Sequence, residues 1–113
     1  VISVSFGRGF FRVEGHAGKA PRGEDPLCAA VSALAQALLH GLIEVAHVPV
    51  EVRRLESGRI DARWLEASLT PEARAILATV EGSLREIAAR NAVHLRVERL
   101  ADDSALLDPG VIV

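Results

Sequence analysis

The sequence lacks the groups that would mark several protein classes. Its 113 residues include one cysteine, Cys28. One cysteine closes no internal disulfide and builds no thiolate-rich zinc site. No metal or other cofactor is expected. Cys28 is therefore either a small buried hydrophobe or a reactive thiol. Lysine is as scarce: Lys19 stands alone among 13 basic residues, the other twelve being arginine. A strong charge of either sign is missing, since the net charge is −2. That leaves no electrostatic footprint for direct binding of bare nucleic acid. No apolar run reaches the ~18–20 residues of a membrane helix, so no membrane partner is expected. Val1 to Phe6 is too short for a signal peptide and no basic segment precedes it. The chain begins without Met, which suggests an initiator that is removed. A free thiol without an export signal points to the cytoplasm.

What is present suits one domain. The length matches one unit of ~100–200 residues. Half the residues are apolar and a quarter are charged, a soluble globular balance. There is no internal repeat, low-complexity segment or linker.

Ile2, Val4 and Phe6 alternate with Ser3 and Ser5, the period of a half-buried strand. Gly7-Arg8-Gly9 supplies a tight turn. Phe11 and Val13 then alternate with Arg12 and Glu14, completing a hairpin. Gly15, Gly18, Pro21 and Gly23 break the pattern into a loop. At Asp25-Pro26 an N-cap residue precedes a proline suited to the first helical position. Leu27, Val31, Leu34, Leu38 and Leu42 make the apolar stripe of a helix ending near Gly41 to Val45. A second hairpin follows: Val48, Val50 and Val52, a turn at Glu56-Ser57-Gly58, then Ile60, Ala62 and Trp64. Pro49 belongs at an edge or a strand start. Thr70-Pro71-Glu72 starts a second helix, with Ile76, Leu77, Val80, Leu84 and Ile87 as its stripe. Gly82 inside it costs roughly 1 kcal/mol against alanine, which suggests the close approach of another element. Val93, Leu95 and Val97 form a last strand, and residues 101 to 113 carry no assignable pattern. The fold class is α+β. A two-layer ββαββαβ order gives a mostly antiparallel sheet with two helices packed on one face.

The helix start places Cys28 at the third helical position. Free amides and the partial positive charge of a first turn stabilise a thiolate. Cys28, Ser32, Gln36 and His40 recur at i, i+4 spacing and form a polar stripe away from the leucines. Cysteine chemistry also needs a base. His40 is twelve residues along the helix, ~18 Å from Cys28. His47 and His94 fall on outward positions of predicted strands, as solvated surface residues. His16 lies where the glycine-rich loop leaves the second strand toward the helix. It is either a base brought back to the sulfur or a loop residue with a local hydrogen bond.

Two segments carry a resemblance. Gly15-His16-Ala17-Gly18, and Gly23-Glu24-Asp25-Pro26-Leu27-Cys28 continuing Ala29-Ala30-Val31-Ser32-Ala33-Leu34, resemble the signature of the bacterial ribosomal-processing cysteine protease family, Prp. The ββαββαβ order resembles the family fold, so the likeness runs from residue 1 to about 100. It implies an endopeptidase that removes the N-terminal extension of a large-subunit ribosomal protein during ribosome assembly. By the same resemblance Cys28 is the nucleophile, His16 the base, Asp25 and Ser32 are supporting residues, and the enzyme is a homodimer. The sequence departs from the family at Lys19, where an aromatic residue is common, and at Pro26-Leu27 before the cysteine.

In this reading Gly15, Gly18 and Gly23 let the loop close over an extended peptide. First-turn amides, that of Cys28 included, are candidate oxyanion donors. The rival reading is a non-catalytic ribosome-assembly or peptide-binding adaptor of the same fold. A thiol redox sensor is weaker, because the chain has no resolving cysteine.

Overall fold

The computed structural model describes residues 1–16, 25–56 and 58–101. Five strands and two long helices are formed: β1 (Ile2–Gly7), β2 (Phe10–Gly15), α1 (Pro26–His40), β3 (Val50–Glu56), β4 (Arg59–Trp64), α2 (Pro71–Arg90) and β5 (Leu95–Arg99). They make one sheet in the order β3-β4-β2-β1-β5. Only β1 and β5 pair in parallel; the other three ladders are antiparallel. The parallel pair follows from α2, which carries the chain back across the sheet before β5. The α+β, two-layer order expected from the sequence is the order observed.

The register explains why the helices share one face. Val4 lies opposite Val13, and Val13 opposite Ile60. Phe6 lies opposite Phe11, and Phe11 opposite Ala62. Cross-strand partners point to the same side of a sheet. These residues join one buried cluster with Leu27, Val31, Leu38 and Leu39 of α1 and Ala73, Val80 and Leu84 of α2. The rings of Phe6 and Phe11 pack tilted at 49°, with centroids 4.9 Å apart.

Several expectations are revised. β2 does not bury one face only: Phe10 through Val13 are all buried, and Arg12 is 4% exposed. β2 is the middle strand, and the register places Arg12 between Ser5 and Asp61, both also buried. A polar row can thus be buried when acid, base and hydroxyl lie side by side. β3 begins at Val50, so Val48 and Pro49 precede it, and a register irregularity falls between Val52 and Arg54. β5 begins at Leu95, leaving Val93 exposed in the preceding turn. His94 lies in that same turn and His47 in the connection before β3, where its φ of 55° is left-handed. Neither is a strand residue.

α1 runs on without a break through a π-helical turn, Gly41–Val45. The whole run, Pro26–Val45, has 20 residues, and an 18-residue stretch of it has a mean hydropathy of 1.6, long and apolar enough by length and composition to cross a membrane. Reading contiguous residues missed this, because Ser32, Gln36 and His40 interrupt the run without lowering its average much. Its apolar stripe is packed against the sheet. The close approach expected at Gly82 occurs at Gly41 instead. A Cβ at Gly41 would come within 2.9 Å of Ile76 Cγ2, so the two helices meet there. A Cβ at Gly82 would meet no described atom within 4 Å.

Candidate active site

The start of α1 is built as its sequence dictates. Asp25 is the N-cap, in extended conformation and 5% exposed. Its Oδ1 accepts from the amides of Leu27 at 2.9 Å and Cys28 at 3.3 Å. The Ala29 amide donates to the Asp25 carbonyl at 3.0 Å. The amides of residues 27, 28 and 29 are therefore all engaged within the turn. This corrects the expectation that the Cys28 amide is a free oxyanion donor.

Cys28 is half-buried and packs beside the core cluster. It is neither a sealed core residue nor a fully exposed one. One turn on, Ser32 Oγ accepts from Gln36 Nε2 at 3.0 Å. That bond leaves the Ser32 hydroxyl proton and the second Gln36 amide proton as donors. His40, further along the stripe, is exposed and does not line the cleft that holds Cys28.

That cleft has a volume of about 370 Å³. One wall is α1, through Cys28, Val31, Ser32 and Gln36; the floor is Ile2, Val13 and Ile60 of the sheet. The far side is Gly15 and His16 from the end of β2 and Leu55, Glu56, Gly58 and Arg59 from the β3–β4 hairpin. Cys28 and His16 thus line the same cleft. The volume is in the range of clefts that enclose a ligand or a few peptide residues.

His16 is seated by two glycines. Gly15 has a φ of 99°, and a Cβ there would come within 2.3 Å of the Val1 carbonyl oxygen. Its amide donates to the Gly58 carbonyl at 2.9 Å, tying the end of β2 to the hairpin turn. Gly58 has a φ of 81°, and a Cβ there would come within 2.5 Å of His16 Nε2. The imidazole therefore rests on bare backbone at Gly58. Gly18, Gly23 and Lys19 lie outside the described residues.

Sequence reasoning missed the hairpin wall. Leu55 is 59% exposed although it is a large apolar residue. That exposure was the one available signal, and it appears only once β3 is known to be an edge strand.

A thiol in the first turn of a helix, with an imidazole lining the same cleft, is the equipment of a cysteine hydrolase. A family model described as cysteine protease Prp matches residues 8–96, and this chain belongs to that family. It is a cysteine protease. The structure is similar to that of the essential ribosomal processing protease Prp from Staphylococcus aureus in complex with a covalently linked product peptide. That match has a TM-score of 0.80 at 21% identity and covers 88% of this chain and 100% of that one. The S. aureus protease in complex with a substrate peptide gives a TM-score of 0.75 at 20% identity, with the same coverage. SMU.848 from Streptococcus mutans gives 0.68 at 19% identity, covering 90% of this chain and 96% of that one. No curated protein matches the chain.

Proposed function

We propose that this protease removes the N-terminal extension of a large-subunit ribosomal protein during ribosome assembly, using Cys28 as nucleophile and His16 as base. One observation carries the assignment. The chain has a single cysteine, and the cleft it lines is also lined by His16. A cysteine protease with one cysteine has one candidate nucleophile. The ribosomal substrate is supported by the family and by the names of its structural relatives.

The chemistry follows from those two groups. His16 takes the thiol proton, and the Cys28 sulfur attacks the scissile carbonyl. The tetrahedral oxyanion collapses to a thioester as His16 protonates the leaving amine. His16 then takes a proton from water, which attacks the thioester and releases the acid with the thiol restored. With the first-turn amides engaged, the Ser32 hydroxyl, one turn on from Cys28, is the donor left on the α1 wall for the oxyanion. Asp25 acts as a positioning residue, fixing the turn that carries the sulfur. Gly15, Gly18 and Gly23 serve the entry and closure of the peptide.

The test is cleavage of a peptide spanning the N-terminal extension of the host's own ribosomal protein. Wild type cuts it at one bond, Cys28→Ala shows no turnover, and His16→Ala falls by at least ~100-fold. Full activity in either variant overturns the dyad. The same reading makes the enzyme a cytoplasmic homodimer, which light scattering of the purified chain tests by its mass.

A further inference from the structure

A second cavity, of about 420 Å³, lies at the opposite end of the sheet from Cys28. It opens between α2 and the C-terminal ends of β1, β4 and β5. Two features of its wall are unfavourable by themselves. Gly82 sits in the interior of α2, where glycine weakens a helix, yet a Cβ there would meet no described atom within 4 Å. Among the described residues close packing is not its reason; Gly82 is exposed, and the missing side chain leaves the mouth of the cavity open. Trp64 is 8% exposed, and its indole Nε1–H is buried with no acceptor among the described residues. An orphaned buried donor costs stability that a ligand's acceptor would restore. Departures from local rules that converge on one place are the mark of a site.

Charge and shape narrow the ligand. Among the described lining residues Arg74, Arg85 and Arg99 stand against two acids, Glu66 and Glu81, a surplus of one positive charge. Phe6 and Leu77 make the walls apolar. We propose that this cavity binds a small carboxylate with an apolar body, one oxygen accepting from Trp64 Nε1. The side chains of Arg74, Arg85 and Arg99 are each about half exposed. One of them swings onto the carboxylate as it enters and matches its charge. A cation is opposed by the surplus arginine, and a neutral alkyl chain leaves the guanidinium unmatched.

Trp64 is the only tryptophan, so intrinsic fluorescence reads this cavity alone. The full chain is titrated with octanoate, and with octylamine and octanol as controls. A saturable change in emission with octanoate, at least ~10-fold tighter than with either control, is the expected result. Gly82→Leu, which fills the space, removes the response, and Gly82→Ala weakens it several-fold. If Gly82→Leu fails to fold by circular dichroism, Gly82→Ala decides. No saturable response, equal responses to the three probes, or unchanged affinity in the folded Gly82 variants overturns the proposal.

Discussion

Asp25 shows how one residue serves both the fold and the site. Its carboxylate caps α1 through the amides of Leu27 and Cys28. Asp25→Ala is expected to lower stability by about 1 kcal/mol, read as a shifted urea midpoint, while Asp25→Asn keeps most of the cap. Gly58 allows a sharper test. Alanine there meets a left-handed φ, a cost of about 1–2 kcal/mol, and also strikes the His16 ring. Gly9 is a control in the other hairpin: its φ is 77°, and its Cβ would clash with the Trp64 carbonyl oxygen instead. Both alanine variants are expected to lose stability. Only Gly58→Ala is expected to lose kcat at a temperature where both remain folded.

At the scale of elements, the two helices are held differently. α1 is fixed by burial: Leu38 is fully buried, and Leu38→Ala is expected to cost about 2–5 kcal/mol by chemical denaturation. α2 is tied to β5 partly by charge. Glu81 accepts from Arg85 at 3.0 and 3.1 Å and also from Arg99 of β5. Burial pushes the Glu81 carboxyl up, but the hydrogen bonds and charges of Arg99 and Arg85 outweigh it, leaving the carboxyl below its usual 4.5. A folded value below the unfolded one means that the ionised form stabilises the fold. The contribution is complete above the ordinary carboxylate range and is lost as pH falls through the lowered folded value. Because both arginines are half exposed, it is about 1 kcal/mol or less and weakens with salt. The Tm gap between wild type and Glu81→Gln is accordingly largest near neutral pH and closes in acid.

At the scale of the whole molecule, the sheet separates two cavities. The cleft of Cys28 and His16 lies at one end and the cavity of Trp64 at the other. Leu55 leaves the edge strand β3 as exposed apolar surface in the cleft that Cys28 and His16 line. Leu55→Asp is expected to raise KM for the peptide several-fold with an unchanged Tm, since the residue packs against little in the free enzyme. An unchanged KM would remove Leu55 from the substrate path.

Much of this was readable from the chain in order. Asp25-Pro26 and Thr70-Pro71 mark the two helix starts because capping is a contact between neighbours in sequence. The spacing of Cys28, Ser32 and Gln36 sets the polar face of α1, because helix geometry is local and periodic. The strand pattern gave both hairpins, and the strand count with the helix order gave the two layers. What the chain in order does not contain is which hairpin stands beside which helix. Gly58 and His16 are 42 positions apart, and they meet only because β4 pairs with β2. The burial of Arg12, the meeting of the helices at Gly41 and the empty space at Gly82 have the same origin. The sequence by itself determined where the thiol sits on its helix. The tertiary structure decided that His16 shares its cleft, because such contacts depend on strand order and register, which no local period encodes.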